Sequence, residues 1–228
     1  MDKFLQDLYG AIIAENRWLM YFEGLGKTIL ISVVAVCIGV AIGTFVALIK
    51  YFAVTNKKLW LFEKLCDLYI TVIRGTPMML QLLILYTVVF TATTNGLPVA
   101  FIGFGINSGA YVAEIIRSGI QSVDRGQYEA GRSLGLGNSQ TMSLIILPQA
   151  VKNILPALFN EFIVLVKETS IAGAIAVREL TKIADGIRGR TFNGLPLFLV
   201  AGIYLLLVVG MTAVQKRLER RLAKGDNR

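Results

Sequence analysis

Residues 28–49, TILISVVAVCIGVAIGTFVALI, carry no charged side chain. A soluble surface helix shows an apolar stripe on one face and polar residues on the other. This run is apolar all round. A bilayer core about 30 Å thick needs roughly 20 such residues per helix, and the run is long enough. Further apolar stretches lie at about 59–93, 99–120, 153–174 and 195–215. Charged residues make up 17% of the chain, against about 25% in soluble domains. The expected fold class is therefore all-α: a polytopic membrane protein of about five transmembrane helices, read as a single domain over 1–228.

The first run is rich in small residues. Ser32, Ala35, Gly39 and Gly43 allow another helix to approach closely. The second stretch is too long for one straight helix, and Arg74-Gly75-Thr76-Pro77 interrupts it. Proline removes a backbone donor and clashes with the preceding turn, and it pushes the residue before it away from helical dihedrals. The reading is one kinked span over 59–93, with two short elements as the alternative. The freed backbone groups must face protein or a cavity and not lipid.

The net charge of +8 fits membrane topology better than nucleic acid, because no basic stripe with interleaved aromatics occurs. Five spans place the termini on opposite sides. One arrangement puts the 50–64 hinge, the 117–152 region and the tail on one side with 14 Lys and Arg, against 7 on the other. The positive-inside rule then sets the N-terminus outside and the C-terminus in the cytoplasm. The charged outer loop 178–190 departs from that pattern. The N-terminal segment lacks the features of a cleaved signal peptide, so the first run is expected to remain as an anchor. Cys37 and Cys66 have no CxxC spacing. Histidine is absent, which removes the commonest metal ligand and general base. No metal site and no catalytic constellation are expected.

Gly26-Lys27-Thr28 resembles the end of a phosphate-binding loop, but Tyr21 stands where the first glycine of that pattern belongs. Lys27 is read instead as an interfacial side chain whose head reaches toward the surface. The segment 121–150 is more informative. Asp124 and Gln127 resemble an N-terminal capping box. Tyr128 to Leu134 form a short helix ended by Gly135 and Gly137, and Asn138 or Ser139 caps a further helix that Pro148 interrupts. The product is a helix, a glycine turn and a second helix, whose bland reading is an ordinary connector.

Within this segment, Glu129-Ala130-Gly131, Gly135, Ile145, Leu147 and Pro148 resemble the EAA loop of bacterial ABC importer permeases, with Gly131 where the pattern has alanine. Other pieces are similar to the polar amino-acid, histidine/glutamine-type subgroup: Arg74 to Pro77 with Gln81, Ser108 to Arg117, Asn160-Glu161-Phe162, and Lys167 to Ser170. The resemblance spans about residues 20–217. It implies a short helix docked in a groove of a separate ATPase, with Tyr128, Glu129, Ala130, Gly131, Ser133, Leu134 and Gly135 as coupling residues. Glu129 would pair with a basic partner residue or with Arg132. It also implies two ATPase subunits holding ATP and magnesium, no cofactor on this chain, a second permease protomer (itself or a close relative), an extracytoplasmic amino-acid-binding protein, and a place in the bacterial inner membrane.

An ionisable residue within a span marks function by default. Glu161 stands about nine residues into the fourth run, roughly 13 Å deep at 1.5 Å per residue. Asn160, Gln81, Glu168 and Glu114 join it as candidate pathway residues. Glu161 is read either as a contact for the ammonium of an amino acid or as half of a buried pair with Arg74 or Lys167. Glu114 and Arg117, three residues apart, suggest an intrahelical pair. Glu161 and Glu168 lean toward a cationic substrate. A transporter working alone would show inverted repeats or paired broken helices, and one break is visible. A membrane enzyme would need convergent reactive groups, and a purely structural or assembly subunit is the third alternative, against which the mid-span acid argues.

Overall fold

The computed structural model describes residues 3–223, which are helical throughout apart from short turns. An amphipathic helix, α1 (Lys3–Ile12), precedes the long α2 (Arg17–Thr55). Next come α3 (Trp60–Gly75), α4 (Met78–Ile84) and α5 (Gly96–Gln121). The coupling segment holds α6 (Arg125–Ser133) and α7 (Asn138–Thr141), and α8 (Leu147–Glu168) follows. A 3-10 segment (Thr169–Ile175) leads to α9 (Leu180–Thr191), and α10 (Leu195–Ala223) closes the described chain. Four helical stretches are long and apolar enough to cross a membrane, and α3 with α4 supplies a fifth crossing if that bent pair is one span. The chain is an all-α polytopic membrane protein.

α2 and α5 form the spine. Their contact is close because small residues line it on both sides. A Cβ placed on Gly39 would lie 2.6 Å from Ser108 Oγ, and one on Gly43 would lie 2.6 Å from Val112 Cβ. In return, one on Gly105 would lie 2.6 Å from Ile38, and one on Gly109 would meet Ile42 and the Tyr69 hydroxyl. Ser32 and Ala35 are fully buried on the same stripe. The small-residue face read from the sequence is the central helix contact. Ile31, Leu82, Phe104, Leu165 and Ile175 complete the core around it.

The kinked span of the sequence reading is a sharper feature. α3 and α4 meet at 107°, because Thr76 and Pro77 are both extended, with ψ of 146° and 133°. Pro77 carries no donor and forces Thr76 out of the helical region. α4 then relaxes into one π-helical turn, Leu85–Val89.

The charged outer loop at 178–190 is a helix. Leu180, Ile183, Ala184 and Ile187 of α9 form a buried face that packs with Tyr21 of α2 and Val200 of α10. Four-residue apolar spacing hidden among charges explains why it reads as a loop. Gly26-Lys27-Thr28 lies inside α2. Lys27 pairs with Glu23 at 2.7 Å instead of reaching to the surface alone, and Thr28 is fully buried.

The two ends of the bundle are distinct. Ala47 to Phe52 of α2 share a cavity with Ser139 to Leu147 of the coupling segment, and Gln215 of α10 reaches the Pro156 carbonyl. At the other end, Asn193 donates to the Asp7 carbonyl of α1 at 2.8 Å, and Gly96 abuts the Ile175 carbonyl. The first helix and the C-terminal turns of α10 thus stand at opposite ends.

Gly43→Leu should separate α2 from α5 and lower the thermal unfolding midpoint in detergent, an overpacking cost of about 1–3 kcal/mol. Gly26→Ala, on the same helix with nothing within 4 Å of its Cβ position, should leave the midpoint unchanged or raise it. Equal effects of the two changes would refute the close-contact account.

Candidate functional site

The site has two parts, a polar cluster inside the bundle and the coupling segment at one end. The cluster begins at the helix break. Ending α3 at Gly75 frees carbonyls that have no helical partner. Gln81, on the first turns of α4, reaches back to them. Its Nε2 donates to the Ile73 carbonyl at 2.7 Å, to the Thr76 carbonyl at 3.1 Å and to Thr76 Oγ1 at 2.8 Å. Its Oε1 accepts from Asn107 Nδ2 of α5 at 3.0 Å. One amide therefore closes the break and ties it to α5. Gln81 enters the sequence reading only as a residue facing the pathway, and the structure adds this bracing role.

Ser108 follows Asn107 and is fully buried. It donates to Glu161 Oε1 of α8 at 3.0 Å. Glu161 is itself buried. Among the described residues no salt bridge reaches it, so the pairing with Arg74 or Lys167 does not form. Arg74 instead lies 3.9 Å from Glu114 and over the Tyr111 ring, 5.2 Å from its centroid. Gln81 with Asn107, and Ser108 with Glu161, form two polar pairs that link α4, α5 and α8 through neighbouring residues of α5. Asn107 and Ser108 are absent from the residues singled out by sequence, although Ser108 opens one of the motifs quoted there. Asn160 is exposed and Glu168 is half-buried near the end of α8. Glu114 pairs with Arg117 in α5 as expected. Neither Asn160, Glu168 nor Glu114 is hydrogen-bonded into these two pairs.

The coupling segment is built as a lever. Asp124 caps α6 by accepting from the Gly126 amide at 2.7 Å. The other half of the expected capping box is missing, because the Gln127 side chain accepts from Gln149. α6 ends in a Schellman motif: the Leu136 amide donates to the Gly131 carbonyl and the Gly135 amide to the Arg132 carbonyl. Gly135 takes φ +85°, a conformation open to glycine at little cost. Gly137 caps α7, its amide donating to Gln140 Oε1 at 2.8 Å, while Asn138 accepts from the Tyr128 hydroxyl at 3.0 Å. The expected cap at Asn138 or Ser139 is thus one residue early in the structure. Pro148 does not break the second helix, because a π-helical turn at Met142–Ile146 absorbs its missing donor. The Glu129–Arg132 pair is also absent. Arg132 donates to the Leu136 carbonyl and locks the turn.

Tyr128, Glu129, Ala130, Ser133, Leu134 and Gly135 are all exposed, and Leu134 is 81% exposed. Gly131 alone faces inward. A Cβ there would lie 2.8 Å from Thr141 Cγ2 and 2.8 Å from Ile145 Cδ1. The buried Thr141 fills the place that an alanine methyl would take, which accounts for glycine at this position.

Sequence reasoning also missed Glu179. It is fully buried and caps α9, accepting from the Thr181 amide at 2.7 Å and the Lys182 amide at 2.6 Å. Tyr204 of α10 donates to it at 3.3 Å. Burial pushes its carboxyl above the ordinary range, and its two backbone donors partly offset that. Only its place one residue before an apolar-periodic segment could have flagged it.

Gly131→Ala should destabilise the α6–α7 contact, and Thr141→Ser, which deletes the obstructing Cγ2, should restore it. Cross-linking between cysteines placed on α6 and α7 measures this. A single Gly131→Ala that cross-links like wild type would refute the packing account. For Glu179, the folded state holds the proton more tightly than the unfolded state. Stability should therefore fall as pH rises from the ordinary carboxylate range toward the raised value. Glu179→Gln should flatten that part of a stability-against-pH curve, and an unchanged slope would contradict the assignment.

Residues 39–224 match the family described as binding-protein-dependent transport system inner membrane component. The chain is 40% identical over 223 residues to the probable amino-acid ABC transporter permease YckA of Bacillus subtilis (strain 168), covering 95% of each. It is 38% identical to the arginine transport system permease ArtQ of the same organism, covering 90% of this chain and 93% of that one. In structure it matches a chain of the crystal structure of an amino acid ABC transporter with histidines, with a TM-score of 0.84, 38% identity, and coverage of 97% and 99%. The chain belongs to the family of binding-protein-dependent transport system inner membrane components, the membrane-spanning permease subunits of ABC transporters.

Proposed function

We propose that this permease carries a polar amino acid into the cytoplasm, driven by separate ATPase subunits docked on the surface of α6. The observation that carries the reading is Glu161. It is a buried carboxylate inside a span whose one hydrogen-bond donor among the described side chains is the neutral Ser108. A buried carboxylate normally has a charged or multiply hydrogen-bonded partner. The ammonium of an amino acid supplies one. Gln81 and Asn107 form a second polar pair at the broken helix, and irregular backbone at membrane depth is tolerated where it lines a path or is buried in protein. The names of the relatives, an amino-acid permease and an arginine permease, support the same substrate class. A carboxylate favours a cationic member of it.

The working assembly in this reading holds two permease protomers, identical or closely related, two ATPases that carry ATP and magnesium, and an extracytoplasmic amino-acid-binding protein. The permease itself binds no cofactor and catalyses no covalent step. The charge distribution sets the coupling segment and the C-terminus in the cytoplasm and the N-terminus outside, within a bacterial inner membrane.

Reconstitution of the whole assembly in proteoliposomes tests this. Glu129→Lys should abolish ATPase recovery or uncouple it from uptake. Glu161→Gln should keep the ATPase bound and cut arginine uptake about tenfold or more, an effect of about 1.4 kcal/mol or greater. Arginine uptake equal to wild type in Glu161→Gln would remove the residue from the pathway. A folded wild-type chain that never retains an ATPase would overturn the coupled-transport reading.

A further inference from the structure

We infer that α1 is an in-plane membrane anchor, lying in the headgroup layer with its apolar stripe on the acyl chains. Leu5, Leu8, Tyr9 and Ile12 recur at three- and four-residue spacing, so they share one face of α1. Leu5, Leu8 and Tyr9 are exposed, while Ala11 on the flank is buried against the bundle. Asp7 and Gly10 lie on the opposite side. Such a helix suits an apolar–polar boundary.

Its depth is fixed by contacts with the spans. Asn193 stands two residues before Leu195, where the apolar run of α10 begins. Its side chain donates to the Asp7 carbonyl in the middle of α1. α1 is therefore held level with the edge of that run. Arg17, itself buried, donates to the Gly10 carbonyl, and the Tyr21 hydroxyl donates to the Ala11 carbonyl at 3.1 Å. Three hydrogen bonds thus clamp the back of α1 to α2 and α10.

The chain reversal behind it is locally unfavourable. Glu15 and Asn16 both take φ of 54°, the left-handed region that a residue with a Cβ seldom occupies. The clamp keeps α1 folded back in spite of that cost. Trp18 and Phe22 at the start of α2, Phe192 just before α10 and Phe198 in its first turn are exposed as well. Aromatic side chains gather at the level where headgroups meet acyl chains. These aromatics stand at the ends of the two spans to which α1 is hydrogen-bonded, and a lipid surface is the occupant that this placement selects.

Fluorescence depth measurement on the reconstituted assembly tests the anchor. The variant Tyr9→Trp, with Trp18→Phe and Trp60→Phe, goes into vesicles of phosphatidylethanolamine and phosphatidylglycerol. Lipid brominated high on the acyl chain should remove most of the emission of the introduced indole. Lipid brominated near the chain end, and aqueous iodide, should remove little. Strong iodide quenching would overturn the anchor, as would protection from every quencher, which signals a protein covering the face. Where the triple variant fails to assemble, Trp18 in the single variant Trp60→Phe reads the same boundary and must show the same pattern.

Discussion

The close approach of α2 and α5 is the constraint on which the remaining structure depends. Within a bilayer, apolar side chains gain nothing from leaving one apolar medium for another, so helix association rests on packing and on interhelical hydrogen bonds. Gly39, Gly43, Gly105 and Gly109 bring two backbones close enough for Ser108, Val112, Ile38 and Ile42 to fill the seam. The same approach sets Ser108 within reach of Glu161 on α8, and Asn107 within reach of Gln81 on α4. A bulkier seam would displace both contacts at once, because both donors belong to the stretch of α5 that the glycines position.

Three polar groups, the half-buried Gln81 and the buried Glu179 and Glu161, each lie where a helix is broken, capped or crossed. Gln81 answers the carbonyls freed by Pro77. Glu179 answers the open amides at the start of α9. Glu161 differs, with one neutral donor in place of several. A carboxylate that is less fully answered than its counterparts has capacity left for a ligand, and that asymmetry separates Glu161 from the helix-capping Glu179.

Much of this was legible in the sequence. Apolar runs of the required length gave the spans, small residues gave the seam, and Thr76-Pro77 gave the break. Features that depend on a neighbour were not legible. The carbonyls freed at the break are answered by Gln81 from the far side. The helix at 180–191 is hidden because its charges dominate composition, while its buried face appears only once α2 and α10 are beside it. Pro148 reads as a breaker, yet a π-helical turn upstream accommodates it. In the coupling segment, the motif spacing located α6 but could not show that Thr141 occupies the space an alanine at 131 would need.

That last contact bears on how force passes through the molecule. α6 exposes Glu129, Ala130 and Leu134 outward and presses Gly131 inward on Thr141 and Ile145. Thr141 precedes the π-helical turn that runs directly into α8, and α8 carries Glu161 toward Ser108. The Schellman turn and the Arg132 bond to Leu136 leave little freedom between the two arms. A displacement of α6 by a docked partner is therefore delivered to α8 through direct contact. The π-helical turn is an irregular point along that line, upstream of Pro156 within α8. Its i→i+5 bonding can shift by a residue at lower cost than a regular helix can bend, so it is where motion at the coupling surface can become a change at Glu161.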